Sequence, residues 1–203
     1  MTDYQTSPLH RVRQRAVRAH YDRETVHAIL DEALVAHVAF VAEGGPVSMP
    51  MFHARDGESV LVHGSRTSRF MRVLSAGVPL CLTVTLVDGL VLARSAFHHS
   101  MNYRSVMVHG IATSVSDDEK PRAMNLFTER VKAGRSTEAR PANAQELKAT
   151  QVLRIPLVEV AAKVRDGGPS DDEEDMRLAV WAGVIPVEQR LGEPVPWDAV
   201  SPA

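Results

Sequence analysis

At 203 residues and 22.3 kDa, with 44% hydrophobic residues and a formal charge of -2, the chain can form one sizeable core and lacks the basic excess of a general nucleic-acid coat. Its single cysteine, Cys81, excludes an intramolecular disulfide framework and a thiolate-rich metal site. There is no signal-peptide pattern and no apolar run of bilayer length, so a cytoplasmic protein without a membrane partner is expected.

Residues 1–20 read as an N-terminal arm carrying Arg11, Arg13, Arg15 and Arg18. Without interleaved aromatics these arginines fit an arm lying over a protein surface or a partner subunit better than one gripping nucleic acid. Asp22 is a candidate N-cap, and behind it Val26, Ile29, Leu30, Ala33 and Leu34 recur at helical spacing, predicting an amphipathic helix that needs a sheet to cover its stripe. Residues 37–42 and 47–52 read as strands around a Gly44-Gly45 reversal, and Asp56-Gly57 turns the chain into a strand over 59–62. Short strands joined by tight glycine turns predict an antiparallel meander and favour a barrel over βαβ units.

The segment His63 to Leu74 carries the most suggestive chemistry. Gly64 predicts a sharp turn out of the strand, Ser65 or Ser68 caps a short helix, and Phe70, Val73 and Leu74 pin its apolar side. Two hydroxyls and the arginines Arg66 and Arg69 at a helix start make a physical receptor for phosphate; a capped helix with solvated arginines is the alternative.

In the central stretch, residues 80–87 read as a strand, Asp88-Gly89 as a turn and 90–97 as the returning strand, with a third strand from about 102 to 112. The polar cluster before that third strand, His98 to Ser105, is either a ligand site or a turn of satisfied groups. A helix starting at Ser116-Asp117-Asp118 and ended by Gly134, a polar connection over 135–141, a helical turn at 146–148 and a strand from 150 to about 160 follow. The acidic run 171–175 lacks calcium-loop spacing and reads as a solvated loop, 180–187 as an apolar strand, and 188–203 as a tail. His98 and His99, being adjacent, would point apart in an extended strand, and no HxxxH or GxSxG pattern occurs, so neither a protein-ligated metal nor a serine hydrolase is expected.

The succession VSMPMFHARDGESVLVHGSRTSRFMR, CLTVTLVDGLVLARSAFHHSMNYRSVMVHGIA and VWAGVIPV resembles the pyridoxamine 5'-phosphate oxidase-like flavin-binding proteins, in particular the flavin-nucleotide-binding branch. The resemblance implies a mainly β fold with peripheral helices (α+β), a split β-barrel over 21–187, a homodimer and FMN in grooves formed by both subunits. Carried onto this chain, it implies Ser65, Arg66, Ser68 and Arg69 on the phosphate side, and Met49, Pro50 and Met51 on the strand beside the isoalloxazine. It further implies Tyr103, Arg104 and Ser105 reaching the cofactor or the dimer seam, and Trp181 near the flavin or in packing; His63 joins the cofactor set. The expected function is an FMN-dependent oxidoreductase acting on a small redox substrate or reduced nicotinamide. A non-catalytic carrier or sensor, or a haem or deazaflavin binder, stands as the alternative. Vitamin B6 oxidation is not implied, because Trp181 is followed by Ala182 and Gly183 and no histidine lies beyond it.

Overall fold

Apolar alternation and glycine reversals organise the first half of the chain, and a computed structural model shows how; it describes residues 3–195 and 197. Of the tail expected at 188–203, positions 196 and 198–203 lie outside the described residues, as do positions 1 and 2 of the arm. The chain divides into two units, 1–86 with 103–166 and 87–102 with 167–203.

The first unit opens with the short strand β1 (Ala19–His20) and the helix α1 (Arg23–Glu32), whose N-cap Asp22 accepts a hydrogen bond from Thr25 N at 2.8 Å. Strands β2 (Val35–Ala42), β3 (Gly45–Arg55) and β4 (Ser59–Ser65) form the expected meander, with positive φ at Gly44, Gly45 and Gly57 in its turns. Helix α2 (Arg69–Ser75) leads into β5 (Pro79–Leu92), followed by β6 (Ser100–Ile111), β7 (Thr113–Ser114), α3 (Lys120–Val131), α4 (Arg135–Glu138), α5 (Ala144–Ala149), β8 (Thr150–Pro156) and β9 (Glu159–Arg165). Strand order is β1-β9-β6-β5-β2-β3-β4-β8-β7, and β1–β9, β9–β6, β5–β2, β2–β3, β3–β4, β4–β8 and β8–β7 pair antiparallel. This is the mainly β, split-barrel architecture that the sequence predicts.

Burial explains the arrangement. Val26, Ile29 and Leu30 of α1 meet Val38, Phe40, Val60, Val62, Leu82 and Val106 in the main core. Strand β4 is covered on both faces, since Leu61 turns the other way into a smaller cluster with Ala54, Val152, Ala123 and Phe127 of α3. The N-terminal arm is anchored to this unit. Tyr4 is buried in the main core, donates to Glu58 Oε2 at 2.9 Å and lies 3.0 Å from His27 Nε2, with the Arg23 guanidinium 4.4 Å over its ring. Farther along, Ser7 and His10 both engage Glu159. Among the described residues no helix is long and apolar enough to cross a membrane.

Three local expectations are corrected. Asp88-Gly89 does not reverse the chain; β5 runs through it, and Gly89 is a site of close approach, where an added Cβ would lie 2.8 Å from Val184 Cγ1. Gly64 likewise stays in β4, paired with Gln151, because Met71 of α2 packs 3.0 Å from where its Cβ would be. The single strand expected from 150 to about 160 is two strands, β8 and β9, reversing at Leu157-Val158 without a glycine; Leu157 is buried and its N–H donates to Glu58 O.

In the second unit, residues 89–92 of β5 pair antiparallel with β10 (Gly183–Pro186), a shorter strand than the 180–187 expected. Two 3-10 turns, Ala96–His98 and Asp175–Arg177, flank an ion pair between Arg94 and the buried carboxylate of Asp171.

Candidate functional site

The site begins at an open strand edge. Among the described residues, β3 pairs along 45–52 with β2 alone, because β4 joins β3 only at 53–55 and then turns to β8. The divergence leaves backbone N–H and C=O groups of β3 available to a planar ligand edge, on a strand that carries Met49, Pro50 and Met51.

The chain leaving β4 crosses beside this region. Ser65 Oγ lies 3.0 Å from Thr67 Oγ1, Ser68 N–H donates to Ser65 O at 3.0 Å, and Ser68 Oγ caps α2 by accepting Met71 N–H at 3.1 Å. Arg66 N–H donates to Ala149 O, fixing the backbone of the turn. Arg69 opens α2 and reaches back to Glu43 O at 3.3 Å in the β2–β3 turn. Between these segments is an apolar cleft of about 180 Å³ lined by Phe40, Ala42, Val47, Met49, Phe70, Val73 and Arg69. Met49 and Arg69 of the predicted set therefore share one cleft. From the sequence its walls Phe40, Ala42, Val47, Phe70 and Val73 are legible only as strand or helix apolar positions, since periodicity marks burial and not which gap a side chain borders.

The other predicted residues do not line this cleft. His63 packs its ring 4.3 Å from that of Phe127, its Nδ1 is buried without a hydrogen-bond partner, and burial holds its pKa below the usual histidine value. Arg104 forms an ion pair with Glu32 at the end of α1, and Ser105 Oγ donates to Lys163 O at 3.4 Å; Tyr103 pairs with Arg165 on β9. Trp181 lies in the second unit, largely exposed, its ring against Gly183, where a Cβ would approach Cζ2 to 2.8 Å. His53 is fully buried with Nε2 2.9 Å from Leu30 O, and desolvation lowers its pKa.

The family model described as pyridoxamine 5'-phosphate oxidase matches residues 22–164, well over half of the sequence. The chain belongs to this family. Among solved structures, the flavocytochrome Anf3 from Azotobacter vinelandii is 39% identical, with a TM-score of 0.91 over 97% of this chain and 92% of that one. The FAD and heme binding protein from Mycobacterium smegmatis is 34% identical, with a TM-score of 0.87 over 92% and 93%. A FAD-binding protein from Mesorhizobium loti, at 14% identity and a TM-score of 0.51 over 73% and 98%, shares the fold. No curated protein matches the sequence.

Proposed function

We propose that this protein binds a flavin and works as a small redox protein of the flavocytochrome kind, with haem as its second group. The observation that carries this is the resemblance, over more than nine-tenths of both chains in each case, to a flavocytochrome at 39% identity and to a FAD and heme binding protein at 34%. FMN, expected from the motif succession, and FAD, named in the mycobacterial protein, share the ring and the phosphate next to it, so one cleft serves either.

The residues present suit such a ligand. Arg69 offers a guanidinium to the phosphate, and Arg66 and the hydroxyls of Ser65 and Ser68 flank it. Apolar walls from Phe40, Val47 and Phe70 exclude water from a ring, and the open edge of β3 offers backbone donors and acceptors to its polar rim. A bound flavin supplies two-electron acceptance from a nicotinamide or small organic donor with one-electron release, and haem supplies one-electron transfer. A cleft of about 180 Å³ is smaller than the roughly 300 Å³ at which cofactor pockets begin, which supports a reading in which a second copy of the chain contributes further walls. Exposed Val35, Val41, Met49 and Met107 in the first unit are suited to that contact.

An absorption spectrum before and after denaturation, mass identification of what is released, and light scattering test the proposal. About one flavin per chain, a haem band and the mass of two chains are expected. No flavin, and no binding of added FMN or FAD, overturns it. Flavin that no donor reduces makes the protein a carrier or sensor.

A further inference from the structure

In the second unit, two segments far apart in sequence bring mixed metal-ligating chemistry to one point. His98 Nε2 lies 3.1 Å from Asp172 Oδ2, Asp175 offers a third ligand atom, and all three lie within 4.8 Å of one another. The run 171–175 reads in the sequence as a solvated loop because nothing there shows that an imidazole from position 98 meets it.

The neighbours that hold these groups are not themselves ligands. Ser95 Oγ accepts Phe97 N–H at 3.2 Å and caps the turn that carries His98. Asp175 N–H donates to Asp172 O at 3.0 Å, the tight turn that sets both carboxylates on one side. Arg94 clamps the two segments: its backbone N–H and Nη1 donate to the two oxygens of Asp171 at 2.7 and 2.8 Å, and that carboxylate is 1% exposed. The charge of Asp171 is thereby paired, while Asp172, Glu173, Glu174 and Asp175 keep the point strongly negative.

We infer that His98, Asp172 and Asp175 form a binding site for a divalent transition-metal ion of the zinc or manganese kind, which fastens the 171–177 segment to the loop after β5. One imidazole nitrogen with two carboxylate oxygens is a donor set that suits these ions better than calcium or magnesium, which take oxygen alone. Adjacent donors around an ion with bonds of about 2.1 Å lie about 3.0–3.4 Å apart, the separation that His98 and Asp172 already have. Rotation of the Asp175 side chain closes the third contact, and water fills the remaining positions. None of the three residues lines the apolar cleft of the first unit.

The test strips the purified protein with a chelator, then equilibrates it separately with Zn²⁺, Mn²⁺ and Ca²⁺ and counts metal retained per chain. About one equivalent of zinc or manganese is expected, with binding weakened by about tenfold or more in His98→Ala and in Asp175→Asn. Trypsin cleavage after the exposed Arg177 slows when the ion is bound. Glu173→Gln and Glu174→Gln serve as charge controls and leave affinity within about twofold. Melting of the stripped variants alongside stripped wild type checks that each is folded. No retained zinc or manganese, preference for calcium, unchanged binding in His98→Ala, or equal losses in the charge controls overturns the inference.

Discussion

His53 and Arg130 meet at one acceptor: His53 Nε2 lies 2.9 Å from the carbonyl oxygen of Leu30, and Arg130 Nη2 donates to the same oxygen at 3.3 Å and to Ala33 O at 2.6 Å. A carbonyl accepts and cannot donate, so the His53 proton sits on Nε2, and its buried Nδ1 is left without a partner. Arg130, from α3, thus satisfies carbonyls at the C-terminal end of α1, where a positive charge also complements the helix dipole. Arg130→Met keeps an unbranched apolar stem and removes both bonds, and is expected to lower unfolding free energy by about 1–3 kcal/mol. Urea denaturation measures this; an unchanged midpoint would show that water replaces the guanidinium without loss.

Acid should destabilise the protein well before its carboxylates titrate. His27, His53, His63 and His109 all have pKa values below the ordinary 6.5, each chiefly through desolvation. The unfolded chain takes up protons near 6.5 while the folded chain resists them, so the unfolded state binds more protons and stability falls as pH drops through that value. Asp56 and Glu159, lowered by hydrogen bonds from Arg122 and Ser7 respectively, contribute stability that persists until pH falls below the ordinary carboxylate range. Denaturation midpoints between about pH 7.5 and 5.5 isolate the histidines. A flat profile across that window would contradict the burial of these rings.

Gly89 permits a close strand approach. Gly89→Val places side-chain atoms where Val184 Cγ1 and Ile185 O already lie, and should cost about 1–3 kcal/mol, concentrated at the β5–β10 pair. Amide hydrogen exchange at 183–185 should quicken in the variant while amides of β2 and β4 keep their protection. Equal protection at β10 in both proteins would refute the close approach.

Arg69→Ala and Ser68→Ala separate two roles at the start of α2. Arg69 bonds only lightly, at 3.3 Å to one carbonyl, so Arg69→Ala should leave melting within the roughly 0.5 kcal/mol typical of surface changes and weaken flavin retention by about tenfold or more. Ser68 caps the helix, so Ser68→Ala should lose about 1 kcal/mol of stability as well. Flavin affinity is read by fluorescence titration. Full affinity in a folded Arg69→Ala protein would take the phosphate away from this residue.

The legibility of the chain follows from how local each signal is. Asp22, Gly44-Gly45 and Asp56-Gly57 act within a few residues, and each cap or turn they predict is present. Asp88-Gly89 carries the same turn chemistry, yet partner strand β10 lies almost a hundred positions later and claims the glycine for close packing. Gly64 misleads for the same reason, its demand coming from Met71 on the next helix. The reversal at Leu157-Val158 has no glycine to announce it and is held by Glu58 O from another hairpin. At the candidate site, Arg69 and Met49 were legible as residue types in a motif, whereas the apolar walls between them depend on β3 and β4 parting at position 53.

The anchored arm bears on the order in which the molecule is made. Tyr4, Ser7 and His10 leave the ribosome before their partners, since Glu58 lies 54 positions after Tyr4, and Glu159 lies 152 after Ser7 and 149 after His10. The hydrogen bonds of Ser7 and His10 to Glu159 wait until β9 has begun to be synthesised, and closing so long a loop costs only a few kcal/mol more than closing a short one because the entropy grows with the logarithm of length. Ser7 and His10 are thus held by a residue made about 150 positions after them, and a nascent chain stalled before position 159 leaves both without Glu159.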